Sequence, residues 1–486
     1  MFYSKNNPIL KSDSYKYSHY LQFPNDIAQV SAYVEPRWCR EKDEDVMFFG
    51  LQMFLQEYMT RRITMQDVFE AQSLITQHGL PFNFDGFARI VQKQGGYWPV
   101  IIQALPEGTL HNHRVTQVQV RNSTNDPELA WVTTFIETQL VRAIWYPVNV
   151  ATRSFHAKKI IKKYLEQTAD NLDSLVFKLH DFGDRGVSSE ESAAIGGCAH
   201  LVNFRGTDTV PALIYANNYY GEKVAGFSIP AAEHSTITSW GRDQEIGAYG
   251  NMINNFGGPG KMFAMVLDSY DVYNALENII GGNLKEKIKT NGAVVGCRLD
   301  SGDPTEEPLK AMKVLGRKFG IIMNSKGYKM LPPYLRIVQG DGMNLDTIEK
   351  CCRNLMNAGW SVENIGTFGM GGELLQRHDR DTHGYAMKCN AVNKLDSNGW
   401  YDISKNPVGD PEKKSKAGRR AVLEKTNNGV RWFEDVREDS LNHRQISLDN
   451  VLQTVYMDGE MLNSQTFTQI RERADSFLNE KVVENA

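Results

Sequence analysis

No stretch of the 486 residues approaches the roughly 20 consecutive apolar residues that a bilayer-crossing helix needs, so no membrane partner is expected. An excess of one charge is also missing. The 54 basic and 58 acidic residues leave a formal net charge of −4, which argues against an electrostatic grip on nucleic acid, although local basic clusters remain compatible with it. Cysteine is scarce and unpatterned. Cys39, Cys198, Cys297, Cys351, Cys352 and Cys389 form no CxxC pair and no regular framework, so small reduced thiols in a cytoplasmic protein are expected. The first twenty residues, MFYSKNNPILKSDSYKYSHY, lack a basic start followed by an apolar core, and no secretory signal is expected. Low-complexity tracts and long Gly/Ser linkers are absent as well. What is there is ordinary for a globular chain: 41% hydrophobic and 23% charged residues, at a length that suits two or three packed domains.

From about residue 175 one phrase recurs. A short apolar run ends in Gly, Asp, Arg or His, and a helix-like stretch often follows. The runs are LVFKLH (175–180), HLVNF (200–204), VAGFSI (224–229), KMFAMVL (261–267), GAVVGC (292–297), YLRIVQ (334–339) and NIGTF (364–368). Repeated strand–helix units predict a parallel sheet, as a barrel or a doubly wound sheet. Polar and glycine-rich residues follow strand after strand (DFGDRG, RGTDT, PAAEH, DSYD, RLDSGDP, GDG, GMGG), at the end where a parallel barrel keeps its chemistry. The flanks read differently. A helix is expected over MFFGLQMFLQEYMTRRI (47–63), strands over YWPVIIQAL (97–105) and HRVTQVQVR (113–121), and helices over 132–166. The alternation in VTQVQV predicts a half-exposed antiparallel strand. The expected organisation is a mixed α+β domain built from residues 1–150 and 385–486, with an α/β barrel over 151–384.

Several strand ends carry residues suited to chemistry. In FGMGGELLQ (368–376), Gly371 and Gly372 either form a tight turn or bare their backbone amides to a phosphate, and Gly340 beside Asp341 in RIVQGDGMN is a similar place. Arg298 and Asp300 stand two apart on a strand and so point to one side, either as a structural ion pair or facing an anionic, hydroxyl-bearing ligand. Phe182, among Asp181, Gly183, Asp184 and Arg185, suits a stacking surface for a flat ring, if it is not core. Lys388, Lys405, Lys413 and Lys414 are either a solvated face or a phosphate-binding group. His234 in SIPAAEHSTITSWGRD sits where an apolar segment meets a helix start, which alone marks nothing more than a helix-start residue. Together these residues suggest an aromatic base and a phosphorylated sugar without fixing the reaction.

The stretches KLHDFGDRGVSSEESAAIG, HLVNFRGTDTVPAL, SIPAAEHSTITSWGRD, DSYDVYNA, NSKGYKMLPPYLRIVQGDG and GMGGELLQ resemble the nicotinamide phosphoribosyltransferase family. The likeness runs from DSYKYSHY (13–20) to DPEKKSKAGRR (410–420). The resemblance implies a type II phosphoribosyltransferase: an atypical α/β barrel of parallel strands with a second mixed α+β domain from both chain ends, working as a homodimer with shared sites. The implied reaction joins nicotinamide to 5-phosphoribosyl-1-pyrophosphate, giving nicotinamide mononucleotide and pyrophosphate. By this resemblance Phe182 stacks on nicotinamide, and Tyr15 from the partner subunit covers the other face. Asp208 and Arg298 hold the carboxamide. Asp300, Gly340 and Asp341 bind the ribose, with Asp300 counted among the catalytic residues. Gly371, Gly372 and Arg380 line the nucleotide phosphate pocket. Arg185, with Arg37, Lys388, Lys405 and Lys413 from the partner, binds pyrophosphate or the phosphates of ATP. His234 takes a phosphoryl group from ATP, Asp271 orients its ring, and Mg2+ accompanies the polyanions with no ligand residues assigned. Asp184, Leu267, Leu299 and Glu373 depart from the family's animal members without removing a ligand. Two rival readings share the scaffold. A nicotinate phosphoribosyltransferase is opposed by Asp208, which would repel a substrate carboxylate. A non-catalytic binding or signalling protein is opposed by the complete residue set.

Overall fold

Apolar runs between residues 175 and 370 become the strands of one parallel sheet in the computed structural model, which describes residues 3–40, 45–395, 399–409, 413–427 and 430–479. Asp410, Pro411 and Glu412 of the basic motif at 410–420 lie outside the described residues. The sheet order is Gly206–Thr207, Leu179–Asp181, Ile365–Met370, Leu335–Gln339, Val294–Leu299 and Met262–Val266, with every neighbouring pair parallel. These strands read as continuous apolar runs rather than alternations because both faces are covered, and Phe263, Val295, Ile337 and Phe368 are fully buried. The segment 227–231 touches both sheet edges. Phe227 bridges Gly206 and Ala231 bridges Ala264, each in the parallel sense, which closes the sheet into an atypical barrel.

Two expected strands differ. VAGFSI supplies only the bridge at Phe227, because the segment runs into Pro230, which has no amide to donate to a ladder. HLVNF is not a strand. Helix Glu190–His200 runs into it and a turn follows, so Leu201, Val202 and Phe204 are buried as a helix end, and the strand forms at Gly206–Thr207 instead.

The chain ends form a second unit. It comprises Met1–Thr152, Asn218–Glu222 and His378–Ala486, and the barrel unit comprises Arg153–Asn217 and Lys223–Arg377. The short excursion at 218–222 is not legible in the sequence pattern. The chain-end sheet runs Trp400–Asp402, Ala386–Lys394, Ile27–Glu35, Val118–Asn122, Val100–Ala104, Gln453–Met457 and Glu460–Met461, entirely antiparallel. N-terminal and C-terminal strands therefore interleave: Tyr33 pairs with Lys388, and Ile102 with Tyr456. The expected helix over 47–63 is shorter than its apolar run, opening at Leu51 after strand Asp45–Met47. The strand expected over 113–121 covers Val118–Asn122, and its polar side is not half-exposed. Gln119 is buried because its side chain accepts from the Arg420 amide at 2.7 Å and donates to the Arg420 carbonyl at 3.2 Å. Among the described residues no helix is long and apolar enough to cross a membrane.

Asn122 ties this unit together. Its fully buried side chain accepts from the Val30 amide (2.8 Å) and the Thr133 hydroxyl (3.0 Å) and donates to the Leu129 carbonyl (2.8 Å). Asn122→Ala leaves a buried amide and a buried carbonyl without partners. It is expected to cost about 2–4 kcal/mol, read as a lower urea midpoint for the transition of this unit.

Candidate active site

Phe182 leaves strand Leu179–Asp181 at its C-terminal end, with its amide donating to the Met370 carbonyl at 3.0 Å. Across the sheet, strand Val294–Leu299 delivers Arg298, whose guanidinium carbon sits 5.2 Å from the centroid of the Phe182 ring. Period-two geometry points Asp300 the same way, and Arg298 grips it by two nitrogens at 2.9–3.2 Å. Gly340 makes room for this pair, since a β-carbon there would lie 2.5 Å from an Asp300 oxygen and 2.8 Å from Arg298 Nε. Asp341 follows it, exposed. Gly371 lies against the Phe182 backbone, and Gly372 opens the short helix Gly372–Leu375. Arg185 is exposed on the turn Asp184–Gly186. Among the departing residues, Leu267 and Leu299 are core, while Glu373 pairs with Arg153 and Arg377.

His180 joins this cluster unannounced by the sequence reading. Its Nε2 lies 2.9 Å from Asp208 Oδ1, and its ring is tilted 56° to Phe182 at 5.3 Å. Standing two residues before Phe182 at the same strand end was the available signal. Ser228, from the bridging segment, donates to the same Asp208 oxygen at 2.6 Å. Burial works to raise the Asp208 carboxyl, but the bonds from His180 and Ser228 and the nearby Arg298 charge outweigh it and hold the group below its ordinary value. Asp208 is thus ionised at neutral pH. Asp181 behaves oppositely: complete burial pushes it up to about 6, against the hydrogen bond it accepts from the Gly183 amide at 2.7 Å.

His234 opens helix His234–Thr238 and is about half exposed, with Nε2 3.2 Å from Asp268 Oδ1. The expectation for Asp271 is corrected here. Asp271 Oδ1 accepts the amides of Tyr273 and Asn274 at 2.9 and 3.0 Å and caps the helix that follows, whereas Asp268, nearest the strand end, meets the imidazole.

The remaining expected residues belong to the chain-end unit. Tyr15 is exposed, with the His19 ring edge-on at 4.9 Å. Arg37 stacks over Trp38 at 4.2 Å and donates to the Gly384 carbonyl at 2.7 Å, and burial lowers its guanidinium. Burial, then the charges of Arg37 and Lys405, depress Lys388. Arg380 is close enough to Arg37 to lower it further, while pairing with Asp381 at 3.1 Å. Lys405 and Lys413 are exposed. A cavity of about 460 Å3 in this unit is lined by Arg37, Arg114, Lys414, Lys416, Arg420 and Arg437, with Glu35.

A closed parallel sheet with polar and charged residues on its strand ends, together with an antiparallel sheet from both chain ends, is the fold of the type II phosphoribosyltransferases. The model of the nicotinate phosphoribosyltransferase (NAPRTase) family matches residues 177–460, and the chain belongs to that family. A second model, the N-terminal domain of nicotinamide phosphoribosyltransferase, matches residues 7–102. A relative from Xanthomonas campestris pv. campestris, named nicotinamide phosphoribosyltransferase, is 44% identical over 97% of this chain and 98% of its own. Two solved structures share the fold at 15% identity. Nicotinate-nucleotide pyrophosphorylase from Pyrococcus furiosus has a TM-score of 0.63, covering 99% of both chains. Human nicotinic acid phosphoribosyltransferase has 0.62, covering 96% of this chain and 93% of that one.

The raised Asp181 carboxyl gives a signed pH dependence. The unfolded chain ionises it near its ordinary 3.8, while the folded protein keeps the proton up to about 6, so its contribution to stability falls as pH rises through that window. Asp181→Asn, which cannot ionise, is expected to gain stability relative to the unsubstituted protein between about pH 4 and 6 and to hold that gain above it. Denaturant unfolding of the two proteins across this range checks the direction.

Proposed function

We propose that this chain transfers the phosphoribosyl group of 5-phosphoribosyl-1-pyrophosphate to nicotinamide, giving nicotinamide mononucleotide and pyrophosphate for NAD salvage. The observation that carries the choice of base is Asp208, held ionised by His180 and Ser228 within reach of the ring platform Phe182. An ionised acceptor suits a carboxamide N–H and repels a carboxylate. The pyridine nitrogen attacks C1 of the ribose as the bond to pyrophosphate breaks. No proton moves in that step, so positioning and charge stabilisation carry it rather than a general base. Phe182 stacks on the ring, Asp208 and Arg298 hold its carboxamide, and Tyr15 of a second subunit would cover the other face in a homodimer. Asp300, Gly340 and Asp341 take the ribose, and Gly371, Gly372 and Arg380 take its phosphate. Arg185, with Arg37, Lys388, Lys405 and Lys413 of a second subunit, takes pyrophosphate or the phosphates of ATP.

Mg2+ suits this chemistry by neutralising the pyrophosphate as it leaves. Such an ion would be carried mainly on the phosphate oxygens of the substrates, and no residue is assigned to it. ATP is the co-substrate. With Nε2–H donating to Asp268, the His234 lone pair lies on Nδ1, and that nitrogen displaces ADP from the γ-phosphorus. The phosphohistidine places negative charge beside the pyrophosphate site until water removes the phosphoryl group.

Two measurements test this reading. Asp208→Asn weakens the acceptor and removes the repulsion, so the ratio of kcat/KM for nicotinamide over nicotinate is expected to fall roughly 10–1,000-fold, about 1–4 kcal/mol. An unchanged ratio rejects the assignment. His234→Ala is expected to fold, to lose ATP hydrolysis and to take up no acid-labile label from γ-labelled ATP, while slow synthesis without ATP persists. Asp268→Asn is expected to reduce the label strongly and Asp271→Asn much less; the reverse order would restore Asp271 as the ring's partner.

A further inference from the structure

The chain-end unit gathers Cys39, His113 and His383, each from a different segment. Their ligand atoms (one thiol sulfur and two ring nitrogens) all lie within 4.8 Å of one another. The two histidines face each other nitrogen to nitrogen, His113 Nε2 to His383 Nδ1 at 3.1 Å, with ring centroids 5.4 Å apart and planes inclined by 27°. His383 is buried, and Cys39 and His113 are half-buried.

From this geometry we propose a divalent zinc-type metal site formed by Cys39 Sγ, His113 Nε2 and His383 Nδ1, independent of the transferase reaction. A tetrahedral Zn2+ with Zn–N bonds of about 2.0–2.1 Å holds two ring nitrogens about 3.3 Å apart, close to the spacing already present. With a Zn–S bond of about 2.3 Å it needs sulfur about 3.6 Å from each nitrogen, so with all three atoms already within 4.8 Å the sulfur has little more than about 1 Å at most to close. One thiolate and two imidazoles are soft and borderline donors. They select Zn2+ over Mg2+, so this site is not the one that serves the phosphates. Water takes the fourth position, and binding releases the thiol proton.

The backbone holds the three segments in place. The Arg37 amide donates to the His383 carbonyl at 2.9 Å, the Arg40 amide to Thr382 at 2.9 Å, and the Arg114 amide to Pro36 at 2.7 Å. Arg114, directly after His113, has φ of 63°, a left-handed conformation uncommon for a residue with a β-carbon. Such strain persists where the surroundings impose it, and here it aims His113 at His383. The neighbouring His111 is not a ligand: its Nδ1 meets the Asn112 carbonyl at 2.9 Å and its Nε2 the Gln117 amide at 3.0 Å. The ion would clasp residues 37–40, 110–114 and 382–384, far apart in sequence.

The full-length protein, purified under reducing conditions, is equilibrated with Zn2+ alone and dialysed against a weak chelator. We expect about one zinc per chain by elemental analysis, and its loss in Cys39→Ser and His383→Ala. Cys389→Ser, which removes another half-buried thiol, should keep the ion. Replacing zinc with Co2+ should give the intense visible absorption of a tetrahedral site, with a thiolate-to-cobalt charge-transfer band that Cys39→Ser abolishes. An unsubstituted protein that retains no zinc and gives no such band would overturn the site, leaving a His113–His383 hydrogen bond in its place. Variants that hold zinc as well as the parent would do the same. Should the variants fail to fold, the cobalt spectrum of the unsubstituted protein decides.

Discussion

Phe182 lies against strand Ile365–Met370 at Gly369, where a β-carbon would stand 2.0 Å from the ring, and everything in the barrel site is arranged around that contact. With one edge of the ring against bare backbone, Arg298 sits 5.2 Å from its centroid, and Asp300 has that guanidinium to grip. His180 meets the ring from the side and spends its other interaction on Asp208. A cation over one part of the ring and an ionised acceptor beside it put opposite charges at the edge of one aromatic surface. The strand ends thus act as a unit whose electrostatics are set before any ligand arrives.

Most of the barrel was legible because its strands are buried on both faces and announce themselves as unbroken apolar runs. Where that signal failed, a competing local preference had won. HLVNF is as apolar as its neighbours, but it extends helix Glu190–His200, and a short run cannot be told from a helix end by hydrophobicity alone. The polar half of VTQVQV was misjudged for a different reason. Gln119 is satisfied by the backbone of Arg420, some three hundred residues away, and no local pattern reports such a partner.

The site shows the same division. Phe182, Arg298, Asp300 and Gly340 sit together as period-two reasoning and strand-end logic predict. Asp271 was misassigned because DSYD offers two carboxylates, one at the strand end and one at a helix start. Local capping chemistry claims the second, as its bonds to Tyr273 and Asn274 attest. Cys39, His113 and His383 carry no spacing signal at all. Only the folding together of both chain ends makes them neighbours.

That interleaving sets a schedule for making the protein. Strand Ile27–Glu35 pairs on one side with Val118–Asn122, but its other edge waits for Ala386–Lys394. At about 5–20 residues per second of synthesis, the intervening 350 or so residues take on the order of half a minute. Throughout that interval the nascent unit carries an open strand edge, while the barrel strands all lie between the waiting partners. The barrel is therefore free to fold first, and the chain-end unit completes itself only once Ala386–Lys394 and Gln453–Met457 have been made.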